Sequence, residues 1–159
     1  MLNTPDTIKM VITDFDGIIT DNCVYINEKE ETSRKLNFKD IMAFSILKKN
    51  GYEIAIISGE KNSAISLIKK KFDIKEVHEN IRNKFEILST IIQKYNLKND
   101  EYIYIGDDIN DYESLCNTKY AFTVPNAVKK VKEIKHIQIT SNYGGDGAFR
   151  EIIDSIVKF

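Results

Sequence analysis

The sequence predicts an α/β fold, a parallel sheet with helices on both faces, and three observations carry that prediction. Short, largely β-branched runs at residues 10–12, 53–57 and 102–105 lack the polar alternation of a half-exposed strand, as strands covered on both faces do. Segments with apolar residues at helical spacing lie between them, and strand-helix alternation of this kind gives a parallel sheet. Polar clusters follow the runs, at the carboxyl edge where open α/β sheets bind ligands.

The elements follow in order. Residues 10–12 form the first buried strand. Val24 and Ile26 alternate with polar neighbours, as do Leu36 and Phe38, which predicts a β-hairpin flap projecting beyond that strand. Tyr25, Leu36 and Phe38 on such a ribbon suit a subunit contact, because isolated two-stranded ribbons are marginal in water. Asp40 reads as the N-cap of a helix over 41–50 that Gly51 ends, with Ile41, Ala43, Phe44 and Leu47 apolar. The strand at 53–57 leads to a helix over 62–72, with Ile65, Ile68 and Phe72 inward. The alternation repeats at 75–78 and 83–95, then at 102–105 and 111–117. Further strands are expected at 121–124 and 137–139. Gly144-Gly145-Asp146-Gly147 precedes a last amphipathic helix over 148–157.

At 159 residues with 42% apolar content, the chain fits one domain, 1–159, with an ordinary core. A net charge of −1 gives no basic field for nucleic acid. No apolar run approaches the ~20 residues that span a bilayer, and the first six residues lack the regions of a signal peptide. A cytoplasmic location without membrane contact is the expectation. Cys23 and Cys116 read as reduced packing residues, and His78 and His136 as structural.

Chemistry starts at Asp14-Phe15-Asp16-Gly17. Two carboxylates held this close repel unless a cation or shared proton compensates. A calcium loop fits poorly, since an EF-hand needs an oxygen ligand where Ile18 stands, a closing glutamate and a helix in front. An ordinary turn is the second reading. The third, a carboxylate nucleophile with a neighbouring acid/base and a magnesium ion, needs further groups. Ser58-Gly59, Lys84 and Gly106-Asp107-Asp108-Ile109-Asn110-Asp111 supply them in order, each near a strand end. Taken singly they read as a helix-start turn, a solvated lysine and a helix cap. Jointly they meet the demands of phosphoryl transfer, in which negative charge must be neutralised. Asp14 and Asp107 would hold magnesium, Ser58 would donate to phosphoryl oxygens and Lys84 would supply a fixed charge. Asp16 would protonate the leaving oxygen and then deprotonate water. Asp108 and Asp111 would position the metal shell and Lys84.

On these motifs the sequence resembles the haloacid dehalogenase superfamily of aspartate-nucleophile phosphatases. Asp14-Phe15-Asp16-Gly17 looks like the first motif, Ser58 the second, Lys84 the third and Gly106 to Asp111 the fourth. The resemblance implies a Rossmann-like sheet, with Asp14 as nucleophile, Asp16 as acid/base, and Asp14, Asp16 (through its carbonyl) and Asp107 as magnesium ligands. The short intervals between motifs resemble members without a cap domain. Residues 14–21, 36–40 and 144–151 are similar to those capless members that hydrolyse phosphorylated 2-keto-3-deoxy sugar acids, which implies a homotetramer built through the flap and tail.

Within that subgroup, Glu60 with Lys71 resembles the pair found in phosphatases of nonulosonate (sialic-acid-like) 9-phosphates. Octulosonate 8-phosphate (KDO 8-phosphate) phosphatases, of lipopolysaccharide synthesis, usually carry arginine where Glu60 stands. The expectation is therefore the nine-carbon acid, with KDO 8-phosphate as the alternative. Arg150 would bind a neighbour's substrate carboxylate or pair with Glu151 or Asp154. A receiver-like or inactive binding domain is the more distant alternative.

Overall fold

A computed structural model describes residues 2–158. The chain runs through β1 (Met10–Thr13), a hairpin of β2 (Tyr25–Ile26) and β3 (Thr32–Ser33), α1 (Phe38–Lys49), β4 (Glu53–Ile57) and α2 (Ser63–Phe72). It continues through β5 (Glu76–His78), α3 (Lys84–Lys94), β6 (Tyr102–Ile105), a 3-10 turn (Ile109–Asp111) and α4 (Tyr112–Asn117). β7 (Ala121–Thr123), α5 (Lys129–Lys132), β8 (Gln138–Ile139) and α6 (Ala148–Ile156) complete it.

Six strands pair in parallel in the order β5-β4-β1-β6-β7-β8, with the hairpin as a separate two-stranded sheet. Each residue of β1 is fully buried, and Val11 sits between Ile54 of β4 and Ile103 of β6. Apart from the exposed Glu53 that opens β4, the runs at β1, β4 and β6 are largely apolar because neither face meets water. The order leaves β1 in one direction through β4 and β5 and in the other through β6, β7 and β8. The β1/β6 junction is thus the switch point where a crevice opens at the carboxyl edge. On one face α1 packs against α2 and α6, with the Phe44 ring 5.4 Å from Phe72 and 4.8 Å from Phe149. The intervals between motifs hold a hairpin and single helices, as expected of a fold without a cap. No helix among the described residues is long and apolar enough to cross a membrane.

Three local expectations need correction. Leu36 and Phe38 do not extend the hairpin: α1 begins at Phe38, and Asn37 is its N-cap, accepting from the Lys39 N–H at 2.8 Å. Asp40 instead turns inward, where its carboxylate accepts from the N–H groups of Gly147 and Arg150 at 3.0 Å each. It therefore caps α6, whose own N-cap is a glycine with no side chain to offer. Cys23 and Cys116 are free, as expected, but exposed and not packed. The short helix α5 was not foreseen.

The turn before α6 is pressed onto the loop that follows β1. A Cβ on Gly144 would sit 1.8 Å from the Gly17 carbonyl oxygen, so that position admits no side chain. The neighbouring Gly145 N–H donates to the Ile18 carbonyl at 2.9 Å.

Candidate active site

The β1 ladder runs one residue past the strand, with the Asp14 N–H donating to the Ile105 carbonyl at 2.8 Å. This leaves the Asp14 side chain at the switch point. Its Oδ1 accepts from the Phe15 N–H at 2.6 Å, and its Oδ2 lies 2.7 Å from Lys84 Nζ. Lys84 opens α3 behind the N-cap Asn83, and its side chain has no solvent exposure. The same ammonium donates to Asp111 Oδ1 at 2.9 Å, so one lysine bridges two carboxylates. Tyr104 on β6, fully buried, donates its hydroxyl to Asp111 Oδ1 at 2.7 Å. Asp111 Oδ2 accepts from the N–H groups of Asp107 and Asp108, each at 3.3 Å. Asp111 is thereby committed to holding Lys84 and the 106–111 loop. Asp108 caps the 3-10 turn, accepting from the Ile109 N–H at 2.6 Å.

Asp107 packs over Gly17, where an added Cβ would lie 2.0 Å from Asp107 Oδ2; φ at Gly17 is +91°. Only glycine satisfies both that backbone and that approach. One oxygen from each of Asp14, Asp107 and Asp111 lies within 4.8 Å of the others. Burial drives the Asp14 carboxyl well above its ordinary range; Asp111 and Asp107 add to this, and Lys84 opposes it. Burial, then Asp111 and Asp108, pushes Asp107 up to about 7. Burial pulls Lys84 down, but Asp111 and Asp14 outweigh that and hold it above its usual value. Three buried acids facing one lysine leave surplus negative charge, and hard carboxylate oxygens are the donors that magnesium prefers. The donor set fits that ion.

Asp16 lies on the same crevice. Arg34, one residue past β3, donates Nε to Asp16 Oδ1 at 2.8 Å. The Thr20 hydroxyl donates to Oδ1 at 3.0 Å and Asn62 Nδ2 to Oδ2 at 3.3 Å. Ser58 follows β4, and its Oγ accepts from the Glu60 N–H at 3.1 Å. A hydroxyl that accepts there keeps its own proton for another acceptor. Asp14, Asp16, Ser58, Gly59, Asp107 and Asp108 line a cleft of about 390 Å³, which the exposed Glu60 and Arg82 also line.

Lys71 and Arg150 do not line this chain's own cleft. Lys71 lies in the last turn of α2, while the N-cap Asn62 of that helix touches Asp16. Nine residues at about 1.5 Å each place Lys71 roughly 13 Å along the helix from the cleft. The expected Glu60 and Lys71 pair is therefore not formed within the chain. Arg150, expected to reach a neighbour's substrate or to pair along its own helix, lies outside its own chain's cleft, and its Nε donates to Asp154 Oδ1 at 2.6 Å, one of the two expected pairings. His136 Nε2 lies 3.1 and 2.9 Å from the Leu115 and Thr118 carbonyls, and His78 Nε2 lies 2.9 Å from Glu76, so both histidines serve structure.

Sequence reasoning missed Arg34, Asn62, Tyr104 and Arg82. The phenol of Tyr104 in an otherwise apolar buried strand was a usable signal. Arg34 and Arg82 gave none, since most arginines on hairpins and loops are solvated.

Residues 21–152 match the family profile of the haloacid dehalogenase-like hydrolases. The chain belongs to this family. Among curated proteins it is similar to the 3-deoxy-D-manno-octulosonate 8-phosphate phosphatase of Haemophilus influenzae, 27% identical over 96% of this chain and 84% of the relative. The phosphatase of that name from Salmonella typhi is 23% identical over 99% of this chain and 83% of its own length. Among solved hydrolases of the family, the Moraxella catarrhalis 3-deoxy-D-manno-octulosonate 8-phosphate phosphatase, in complex with magnesium, phosphate and KDO, superposes with a TM-score of 0.88. It is 26% identical, over 95% of this chain and 86% of that one.

Proposed function

We propose that this haloacid dehalogenase-like hydrolase is a magnesium-dependent phosphatase acting on 3-deoxy-D-manno-octulosonate 8-phosphate, with residues 1–159 working as one unit. The observation that carries the reading is the buried array of Asp14, Asp107 and Asp111 around the single ammonium of Lys84. The named relatives favour the eight-carbon acid over the nonulosonate 9-phosphate expected from Glu60 and Lys71. The separation of those two side chains agrees with the change.

Asp14 is the nucleophile: its carboxylate oxygen attacks phosphorus and forms an aspartyl-phosphate as the sugar oxygen leaves. Asp16 gives that oxygen a proton, then takes one from the water that cleaves the acyl phosphate. Thr20, Asn62 and Arg34 hold the Asp16 carboxylate in place. The Ser58 hydroxyl and the Gly59 backbone bind the phosphoryl oxygens. Lys84 aims Asp14 and opposes the burial that favours its protonated form, with Asp111 and Tyr104 fixing the ammonium from behind. Asp14, Asp107 and the Asp16 carbonyl would hold magnesium, which when bound neutralises charge between the carboxylates and the phosphate. A homotetramer through the flap and tail belongs to the same proposal. Its support is the exposed apolar set Val24, Tyr25, Ile26, Phe38 and Tyr143, which a lone chain leaves in water.

The test is steady-state phosphate release with magnesium from the eight-carbon and nine-carbon acid phosphates, against ordinary sugar phosphates. Preference for the eight-carbon substrate supports the reading. Preference for the nine-carbon substrate restores the Glu60 and Lys71 expectation, and no release from any of them contradicts the enzyme assignment.

A further inference from the structure

The cleft has a charge balance that the chemistry at Asp14 does not account for. Asp14, Asp16, Glu60, Asp107 and Asp108 all line it, and Arg82 is the one basic side chain in that lining. Lys84 lies underneath, fully buried and spent on Asp14 and Asp111. Arg34, in the adjoining recess beneath the hairpin, is bonded to Asp16. Arg82 has no hydrogen bond or ion pair with any described residue, although acids surround the cleft it lines.

Its backbone is nevertheless fixed. Asn80 adopts a left-handed conformation, φ +58°, which turns the chain after β5. The next residue, Ile81, donates its N–H to the Ser58 carbonyl at 3.0 Å, and its own carbonyl would lie 3.8 Å from a Cβ on Gly59. Asn83 then caps α3 by accepting from the Glu86 N–H at 3.2 Å. Arg82 is thus held between the Ser58-Gly59 turn and the start of α3. Its anchor is rigid and its guanidinium uncommitted, the arrangement of a group that recognises a ligand at low reorganisation cost.

A phosphorylated sugar acid carries two anions, and the phosphate is taken by the groups around Asp14. The second anion, a carboxylate on the organic part, needs a cation, and among the side chains that line the cleft Arg82 is the basic one. A planar guanidinium meets a carboxylate through two parallel N–H donors, a match that an ammonium cannot make. Resting on the phosphatase reading, we infer that Arg82 is the residue that recognises the substrate carboxylate and so selects acidic sugar phosphates over neutral ones.

The experiment measures kcat/KM for 3-deoxy-D-manno-octulosonate 8-phosphate and for p-nitrophenyl phosphate, which has no carboxylate, and takes their ratio. It compares wild type with Arg82→Ala, Arg82→Lys and Lys61→Ala, since Lys61 is an exposed cation in the recess beneath the hairpin. Loss of a charge-assisted pair should lower the ratio in Arg82→Ala roughly tenfold to a hundredfold, chiefly through KM of the sugar acid. Arg82→Lys should recover part of it, and Lys61→Ala should keep the wild-type ratio. An unchanged ratio in Arg82→Ala, or a fall in Lys61→Ala in its place, overturns the inference and leaves the phosphatase reading standing. A wild-type protein that releases phosphate from neither compound overturns both.

Discussion

Stripping divalent cations and raising the pH across neutrality should weaken the fold. Asp107, whose ordinary pKa is 3.8, is pushed up to about 7 by burial and by the neighbouring acids Asp111 and Asp108. A carboxyl with a higher pKa in the folded chain binds its proton more tightly there. The stability that proton binding adds at low pH is therefore lost as pH rises from about 4 through 7. One pKa unit corresponds to about 1.4 kcal/mol, so the loss at Asp107 is at most ~4 kcal/mol. Asp14 shifts in the same direction and adds to it. Carboxyls held low by lysines, such as Glu76 and Asp73, act in the opposite sense, but only below the usual carboxylate range. At ~2–4 °C per kcal/mol for a chain of this length, cation-free protein should melt roughly 10 °C lower at pH 8 than at pH 5. Magnesium should remove most of that difference, because a ligand of the folded state stabilises it by mass action. Thermal unfolding in chelator and in magnesium, at both pH values, measures this. Equal or greater stability at pH 8 without cations would refute the claim that surplus buried negative charge sits at this site.

Three substitutions extend the account. Asp40→Ala leaves the N–H groups of Gly147 and Arg150 without their acceptor, at about 1–3 kcal/mol each, and should lower Tm by roughly 10 °C; an unchanged Tm would show that α6 does not need this cap. Tyr104→Phe removes one 2.7 Å donor to Asp111 without changing shape and should lower kcat roughly tenfold with little change in KM. Kinetics equal to wild type would remove Tyr104 from the support of Lys84. Lys84→Met strands two buried carboxylates at a cost of about 3–5 kcal/mol and should lower kcat at least a hundredfold for every phosphate ester; a wild-type kcat would remove Lys84 from the support of Asp14.

Much of the fold was legible because each buried strand announces itself locally. Residues 54–57 and 102–105 are apolar on both faces, and β4 and β6 have the expected bounds, 53–57 and 102–105. The site was legible for a related reason: Asp14, Ser58 and Asp107 stand one or two residues beyond strand ends and Lys84 opens the helix after β5, so order along the chain carries their spatial meeting. What failed depends on distant partners. Asp40 has the composition of a cap next to its own helix, yet it caps α6, 107 residues later at Gly147. Asn37 could serve α1 equally well, and nothing local ranks the two. Glu60 and Lys71 were joined by resemblance, whereas the length of α2 keeps them apart. The positions of Arg34 and Arg82 follow from a hairpin and a loop whose paths the sequence alone does not set.

Phosphate release from 3-deoxy-D-manno-octulosonate 8-phosphate by wild type and by Asp14→Asn, with magnesium and after chelation, bears most directly on the mechanism. The account predicts turnover in wild type that is lost on chelation, and none in Asp14→Asn, although that variant stays folded. Magnesium-dependent turnover in Asp14→Asn close to the wild-type rate would contradict it.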